Sequence, residues 1–475
     1  MRGERPIRDR FAVRALATAA LAAFITLSCA SVPRRGDVPA FVPDTFSPSG
    51  MEVLPDRWWR SIGDTTLTRL VEQALSDNLT LKGAYARLAQ AEATARRDGA
   101  ARFPSIDVQG AATQTERSGS TGSAPAGPEG TTLSAGAAAS YELDLWGRVR
   151  SLSKAADLDR QGSREDLKAA AMSLSAQVAL TYYQLVEQVA QLDLLTRQLR
   201  LNEEVLELVT FRFRQGQVGA SDVLRQRQLT ASTQGEASLA RSRKAGQEHA
   251  LAILLGLPPS DGELETWARA FPSLPPSPAA GVPADLVRRR PDTRKAYMAL
   301  LAADRRVAAA VAARFPRISL SAQTSTSGED VDALFNTWVT NLAANLMMPL
   351  FDAGNRAAEA DRRKAMAAEK LYAYKQTVLV SLGEVEDALV QEERQREYLG
   401  YLQSQLDMSG EVVRRTRDSY ASGASTYLQV LDALRTNQQL ERTVLSARRQ
   451  LVAARVNLCR ALGGGWEITG AETRS

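Results

Sequence analysis

The residue types that usually carry enzymatic or metal chemistry are scarce in this chain. It has one histidine, His249, and two cysteines, Cys29 and Cys459, among its 475 residues. No cysteine or carboxylate cluster flanks His249 at the spacing that a metal site needs. The sequence also lacks a Gly-rich phosphate loop, a nucleophile elbow and a pair of catalytic carboxylates. We therefore expect no enzymatic activity, no bound metal and no cofactor.

Cys29 is a candidate for a different chemistry, covalent lipidation. Five arginines precede an apolar stretch, Ala15–Leu27, which is typical of a signal peptide and too short to cross a bilayer comfortably. The segment TLSCA, which ends at Ala30, resembles a bacterial lipobox, although Thr26 occupies a position that is usually aliphatic. We expect residues 1–28 to be a signal peptide and Cys29 to be a lipid anchor. The alternative is an ordinary signal peptide that is cleaved nearby.

The charge and cysteine balance excludes two further classes. The signal peptide carries five arginines against two acids, so its removal lowers the net charge from +5 to about +2, which gives no support for a nucleic-acid partner. Once Cys29 is assigned to lipid, Cys459 has no partner for an intramolecular disulfide. No later segment has about 20 uninterrupted apolar residues. We predict no transmembrane helix, so any membrane crossing must use β-strands.

The distribution of proline along the chain predicts very long helices. No proline lies between Pro128 and Pro258, and none follows Pro349. Because proline breaks helix interiors, these two tracts, rich in Ala, Leu, Gln, Glu and Arg, favour long helices. A continuous helix over residues 148–215 would be about 100 Å long. Dimeric coiled-coil rods would explain such helices, but they would not explain the strands predicted below.

Four sequence markers occur twice in the same order and indicate an internal duplication with a period of about 210 residues. The clearest is AARFPSI at Ala100–Ile106, matched by AARFPRI at Ala312–Ile318. The other pairs are Glu142–Arg148 with Met348–Arg356, Phe213–Leu224 with Tyr420–Leu431, and Leu254–Gly256 with Ala461–Gly463. The predicted domains are a first repeat over residues 58–265, a linker over 266–291 and a second repeat over 292–466. An N-terminal arm at 29–57 and a tail at 467–475 flank them.

Each repeat has the predicted order helix, strand, strand, long helix, Gly-containing turn, long helix. Alternating apolar positions predict two strands in each half, joined by Gly/Ser-rich hairpin loops at Ser118–Gly130 and Thr324–Asp330. Strands in lipid must satisfy every backbone group, so a membrane sheet has to close on itself. Four strands cannot close, and the smallest closed type has eight. A homo-oligomer follows, in which two chains would supply eight strands and three chains twelve.

The segment Pro283–Asp292, PADLVRRRPD, resembles the central linker of the TolC-family outer-membrane efflux lipoproteins, the NodT/OprM-like branch of RND efflux outer-membrane factors. The motifs DLWG at Asp144–Gly147 and FDAG at Phe351–Gly354, together with the two Gly turns, are also similar to that family. The resemblance extends from Trp58 to Trp466. It implies a mixed α and β membrane protein: a trimeric 12-stranded β-barrel, with four strands per chain, continuous with a long periplasmic α-helical barrel.

The resemblance also implies a function and partners. The chain would be the outer-membrane channel subunit of a tripartite efflux system, a passive exit duct for small molecules such as drugs or toxic compounds. It would form a homotrimer, lipid-anchored in the cell outer membrane and extending into the periplasm. Its partners would be a periplasmic adaptor (membrane fusion) protein and an inner-membrane transporter, commonly of the RND type. The alternatives are a type I secretion duct and a non-channel coiled-coil envelope scaffold.

By the same resemblance, a periplasmic gate lies at the helix tips. Asp222 matches the family's tip aspartate, Tyr420 its gate tyrosine, and Asp432 a constriction acid that would form a ring of three carboxylates in a trimer. The alternative is a purely structural role, in which Asp222 only caps the returning helix and Tyr420 only packs against neighbouring side chains. Three turn glycines are the predicted helix-tip contact for the adaptor: Gly216, Gly219 and Gly423.

This sequence departs from the family at two gate positions. Ser425 replaces an arginine that pairs with the tip aspartate in some relatives, and Gln429 replaces a second constriction acid. We therefore expect a gate held by hydrogen bonds and apolar contacts, including Leu428 and Leu431, rather than by a salt bridge. Two other conspicuous sets of residues are expected to have structural roles only. We expect Arg288–Arg290 to pair with acids or cap helix ends, and Trp58 and Trp59 to pack against the folded chain.

Overall fold

The two halves of the chain fold into the same order of elements. The structure is a computed structural model, and it describes residues 39, 41–47, 57–116, 130–259 and 270–464. The first half contains α1 (Trp58–Ser61), α2 (Thr65–Asp77), α3 (Leu79–Ala100), β1 (Ser105–Thr115), β2 (Gly130–Leu143), α4 (Arg148–Arg214) and α5 (Ala220–Leu254). The second half contains α6 (Pro283–Arg289), α7 (Pro291–Ala312), β3 (Arg317–Gly328), β4 (Trp338–Met347), α8 (Asn355–Ala421) and α9 (Tyr427–Ala461).

Equivalent helices have equal lengths in the two halves. Helices α3 and α7 have 22 residues each, α4 and α8 have 67, and α5 and α9 have 35. The predicted long helix over residues 148–215 ends one residue earlier than expected. Several predictions lie outside the described residues: the signal peptide, Cys29, most of the arm at 29–57, the loop residues 118–129 and the tail at 467–475.

Contacts divide the chain into two units, which we call the sheet unit and the hairpin unit. The sheet unit contains Ala89–Ser163 and Ala296–Tyr374. The hairpin unit contains Arg164–Lys295 together with the described residues before 89 and after 374. Every strand belongs to the sheet unit, and both helix tips belong to the hairpin unit.

The four strands form one antiparallel sheet in the order β1-β2-β3-β4. The central pair, β2 and β3, joins the two repeats, and its register places Gly136 opposite Ser325. A Cβ atom on Gly136 would lie 2.8 Å from the Thr324 carbonyl oxygen, so this close approach of two strands requires glycine. Strands β1 and β4 are the edges, each paired along one side within the protomer.

The predicted hairpin loop at Thr324–Asp330 is wrong for most of its length. Strand β3 continues to Gly328, and it pairs Thr324 with Thr340 on β4 and with Ala137 on β2. Thr324, Ser325 and Thr326 pair with both neighbouring strands, and threonine fits a pleated strand well. The Ser/Thr content therefore predicted a loop, whereas pairing with β2 and β4 makes this segment part of strand β3.

An aspartate caps the start of the long helix in each half, which explains two of the repeated motifs. Asp144 accepts hydrogen bonds from the backbone N–H groups of Val149 and Arg150 at 3.0 and 2.7 Å. Asp352 accepts from the N–H groups of Gly354 and Arg356 at 3.1 and 3.3 Å. Carboxylates at helix N-termini satisfy free donors and complement the helix dipole. The DLWG and FDAG motifs are thus strand-to-helix corners.

In the hairpin unit the helices pack in antiparallel pairs. Leu195 of α4 contacts Ala237 and Ala240 of α5, and in the second half Leu402 of α8 contacts Val444 and Ala447 of α9. Leucine against alanine lets the helix axes approach closely. Throughout the part of the chain that the structure describes, no helix combines the length and apolar character needed to cross a membrane.

Arg290 of the central motif is buried, and it joins helix ends as predicted for this arginine run. Its guanidinium contacts the Asp292 carboxylate at 3.0 and 2.6 Å and Glu384 at 2.6 Å, and it donates to the Ala461 carbonyl at 3.0 Å. Burial alone would raise the pKa of Asp292, but hydrogen bonds and charge from Arg290 outweigh burial and lower that pKa. The motif is structural, because it holds the last turn of α9.

Trp58 and Trp59 are buried, in agreement with the packing interpretation. Both side chains are almost fully enclosed, and the Trp58 indole donates a hydrogen bond to the Ser175 hydroxyl at 3.2 Å. Cys459 is also buried. Burial raises the pKa of its thiol to about 12, so the thiol stays protonated and is a poor nucleophile.

Candidate functional site

The turns that end α4 and α8 have the same backbone design. Gly216 and Gly423 adopt φ values of +73° and +80°, which glycine permits without strain. The next N–H group in each turn returns to the preceding helix, Gln217 to the Arg212 carbonyl at 3.0 Å and Ala424 to the Ser419 carbonyl at 2.8 Å. These bonds form a Schellman-type C-cap. Gly219 differs, because it is the extended N-cap of α5, with φ −82°.

An apolar cluster lies directly behind the two turns, and we call it the tip cluster. It joins the ends of α4 and α8 to the starts of α5 and α9. Its buried members are Val205, Val209, Val223, Leu229, Tyr420, Tyr427, Val430, Leu431 and Leu434. Two of the predicted gate residues, Tyr420 and Leu431, are therefore core residues of this cluster. The cluster couples the first hairpin to the second.

Tyr420 is held by aromatic and cationic neighbours. Its ring lies 6.1 Å from the Tyr427 ring in an edge-to-face arrangement, and the Arg212 guanidinium lies 4.4 Å from the ring centroid. Arg212 also donates to the Tyr420 carbonyl at 3.3 Å. The buried Tyr420 hydroxyl has no hydrogen-bond partner among the described residues. Because an unsatisfied buried hydroxyl is destabilising, packing and the cation–π contact must hold this side chain.

A buried chain of polar side chains continues from Tyr427, and we call it the polar seam. The Tyr427 hydroxyl bonds to Gln226, whose amide donates to the Asn202 carbonyl at 2.7 Å. The Asn202 side chain donates to Thr233 at 3.0 Å and accepts from Gln438 at 2.9 Å. The seam therefore connects α4, α5 and α9. Such networks fix the register of packed helices when each member is satisfied.

Asp222 occupies the first turn of α5, next to this cluster. Its carboxylate lies 3.5 Å from Arg225, one turn further along the same helix. Burial and then the charge of Asp222 raise the pKa of Tyr427, so that hydroxyl stays protonated. The N-cap position of this helix is Gly219, three residues before Asp222, so the observed contact of Asp222 is an ion pair within the first turns of α5.

Leu428 and Asp432 face away from the tip cluster. They lie four residues apart on α9, hence on one helix face, and both side chains are exposed. Asp432 lines a groove of about 700 Å³ between α8 and α9, together with Arg415, Ser425 and Gln429. The structure thus separates the predicted gate residues into two sets. Tyr420 and Leu431 lie inside the cluster, whereas Leu428 and Asp432 face outward.

The two residues that depart from the family have local roles in the second turn. Gln429 accepts a hydrogen bond from the Thr426 backbone N–H at 3.0 Å, as in a capping box. The Ser425 hydroxyl donates to the Thr416 carbonyl at 3.2 Å. Arg212, which supplies a cation from the opposite hairpin, was not among the residues predicted from the sequence. Its position four residues before the turn glycine Gly216 was the available signal.

The chain resembles known proteins over most of its length. Residues 70–257 and 282–464 match the family described as outer membrane efflux protein. The pyoverdine export outer membrane protein OpmQ of Pseudomonas aeruginosa is 32% identical over 417 residues, which cover 86% of this chain and 88% of OpmQ. The cation efflux system protein CusC of Escherichia coli is 30% identical over 444 residues, which cover 90% of this chain and 93% of CusC.

A solved structure of the outer-membrane channel OprN has the same fold. It superposes with a TM-score of 0.84 at 27% identity, over 91% of this chain and 99% of that chain. The predicted mixed α and β trimeric channel fold and the predicted outer-membrane location are thereby confirmed. Family members are channel proteins and not enzymes. The chain belongs to the outer membrane efflux protein family and is an outer-membrane channel subunit of an efflux system.

Proposed function

We propose that the chain is a passive exit duct for small molecules, closed at the helix tips and opened by partner proteins. The tip cluster supports this proposal best, because it ties the first hairpin to the second through Arg212 and Tyr420. Relatives carry names that refer to pyoverdine export and cation efflux, which are chemically unrelated cargoes. A duct shared by such systems leaves cargo choice to the inner-membrane transporter.

The proposed gate has two layers with different chemistry. In the inner layer, Arg212 clamps Tyr420 against the tip cluster and holds the two hairpins together. In the outer layer, the exposed carboxylate of Asp432 contributes to a ring in the trimer, where three acids favour cations. Asp222 supports the first layer from the N-terminal turn of α5, where its carboxylate lies 3.5 Å from Arg225. Opening then requires that the first and second hairpins move apart.

The proposed partners are a periplasmic adaptor and an inner-membrane transporter of the RND type. The residues of the turns at Gly216 and Gly423 are exposed, and Gly219 begins the returning helix of the first hairpin. A photoreactive amino acid placed at Gln217 or Ala424 should cross-link to the adaptor from the same gene neighbourhood. The same label at exposed Tyr372, which is far in sequence from the tip end of α8, should not cross-link to the adaptor. Equal cross-linking from both places would remove the tip as the docking site.

The proposed lipid anchor is Cys29. A Cys29→Ser variant should lose all incorporation of labelled palmitate while the unaltered chain incorporates it. Because strands can hold the protein in the membrane without the lipid, the variant should still be found in the outer membrane, with a reduced yield. Label retained by the Cys29→Ser protein would place the lipid elsewhere.

The channel itself is tested with the full-length protein in the outer membrane and in planar bilayers. We expect heat-modifiable trimers in outer-membrane fractions and discrete ion-conducting steps after reconstitution. A coiled-coil scaffold would give neither result. A type I secretion duct would give both, so efflux is distinguished by deleting the gene. Deletion should raise cellular accumulation of a small toxic compound and leave protein secretion unchanged.

A further inference from the structure

A strongly basic cleft in the sheet unit has no role in the function described above. The cleft has a volume of about 950 Å³ and is formed by α3, the start of α4, and α7. Two carboxylates line it, Glu92 and Asp157. Six cationic side chains line it: Arg96, Arg102, Arg150, Lys154, Arg160 and Arg305. The excess of positive charge makes this a cleft for an anion.

Three of these cations form no ion pair with a carboxylate of the described residues. Arg160 and Lys154 share Asp157 at 2.9 and 3.8 Å, and Arg150 lies 3.3 Å from Asp144. Within residues 57–116, 130–259 and 270–464, no carboxylate pairs with Arg96, Arg102 or Arg305. Like charges in one cleft repel each other, so the arrangement is stabilised by an anion with several acceptor oxygens.

The cleft lies near the ends of strands β1 and β2 that connect to helices. Arg102 precedes the first residue of β1, Ser105, by three positions, and Gly147 follows the end of β2 by four. Trp146, next to Gly147, donates its indole N–H to the Pro316 carbonyl at 2.7 Å. Its ring stacks on Phe315 at 5.0 Å. In an outer-membrane channel the helical side of the strands is the periplasmic side, and aromatic rings favour the headgroup level.

We propose that this cleft binds the phosphate of an anionic phospholipid headgroup in the periplasmic leaflet of the outer membrane. Arginine suits this ligand, because its planar guanidinium can donate two parallel hydrogen bonds to one phosphate. Basic pockets next to membrane-spanning segments bind such headgroups elsewhere. The proposal rests on the outer-membrane location of the strands and is independent of the cargo and of the gate.

The test measures lipid binding to full-length trimers in a neutral detergent by native mass spectrometry. The probes are phosphatidylglycerol, phosphatidylethanolamine and inorganic phosphate. We expect phosphatidylglycerol to bind preferentially and to displace inorganic phosphate. A combined variant, Arg96→Gln, Arg102→Gln and Arg305→Gln, should bind phosphatidylglycerol at least about tenfold more weakly, because it removes the three unpaired guanidinium groups.

Two controls separate the cleft from general charge and from misfolding. The exposed arginines Arg87, Arg197 and Arg227 lie in the hairpin unit, and their replacement by glutamine should leave lipid binding unchanged. An Arg→Lys version of the cleft variant keeps the charge but loses the bidentate geometry, so it should bind phosphatidylglycerol more tightly than the glutamine variant and more weakly than the unaltered protein. Single-channel conductance of the lysine variant should be unchanged, which keeps this test distinct from that of the duct.

Several results would overturn the proposal. Equal binding of phosphatidylglycerol and phosphatidylethanolamine would show that the cleft does not recognise an anionic headgroup. Inorganic phosphate that binds as tightly as phosphatidylglycerol would assign the cleft to a soluble anion. Trimers that dissociate in the glutamine variant, with no lipid bound to the unaltered protein, would show that the arginines pair with acids of a neighbouring subunit.

Discussion

Replacing Glu392 by glutamine should lower the free energy of unfolding by about 3–5 kcal/mol. Glu392 and Arg455 are both almost fully buried, and their side chains form two hydrogen bonds, at 2.9 and 2.6 Å. Arg396 adds a third contact to the same carboxylate at 2.6 Å. The neutral amide would leave the buried Arg455 guanidinium without a counter-charge, which costs far more than the pair itself contributes. Urea unfolding of detergent-solubilised trimers, followed by helical circular dichroism, measures the change.

Glu411 is a matched control on the same helix. It also pairs with two arginines, Arg414 and Arg415, but all three side chains are exposed. Because solvent screens exposed pairs, Glu411→Gln should leave the unfolding midpoint where it is. A double variant, Glu392→Leu with Arg455→Met, should recover most of the loss, since an apolar pair of similar volume can replace a buried ion pair. A midpoint for Glu392→Gln equal to that for Glu411→Gln would contradict the prediction.

The sequence predicted the architecture well where the signal was long or repeated. Absence of proline over more than 100 residues predicted long helices in both halves, and the helix predicted over residues 148–215 differs from α4 by one residue. The repeat of AARFP predicted that strands β1 and β3 begin at equivalent positions. These successes share a physical origin, because helix continuity and strand alternation depend on many residues, and no single contact can override them.

Contacts between segments that are distant in the chain could not be predicted from the sequence. Asp292 is two positions from Arg290, but Glu384 and the carbonyl of Ala461 are 94 and 171 positions away. Likewise Arg212 meets Tyr420 across 208 positions. Sequence spacing shows which residues share a helix face, but it does not show which faces meet. The prediction that Leu431 contributes an apolar contact to the gate therefore could not name its neighbours, which are the side chains of the tip cluster.

Replacing Tyr420 by alanine should produce the largest change in channel behaviour. The closed arrangement would lose an aromatic ring that packs on Tyr427 and on Arg212, and truncation of a buried aromatic side chain costs about 3–5 kcal/mol. If most of these contacts exist only while the hairpins are together, the ratio of open to closed channels rises by about 100-fold or more. Planar-bilayer recordings should show longer openings and a larger mean single-channel conductance.

Three further variants rank the contributions within the gate. Arg212→Gln removes only the cation–π contact and one hydrogen bond, a loss of about 1–2 kcal/mol, so openings should increase by about 5- to 30-fold. Asp222→Ala, whose partner Arg225 is on its own helix, should have a smaller effect than either. Asp432→Asn, on the outward face, should lower cation selectivity without prolonging the openings.

The order of these effects distinguishes the two interpretations of the tip. A salt-bridge latch would make Asp222→Ala the strongest variant and Arg212→Gln nearly silent. A tip in which Tyr420 only packs would leave all conductances unchanged, while Tyr420→Ala would still lower stability. The ranking Tyr420 above Arg212 above Asp222 is expected only if hairpin separation is resisted by the clamp that Arg212 forms on Tyr420. The proposed clamp would also keep the channel closed with Ser425 in place of the arginine found in some relatives.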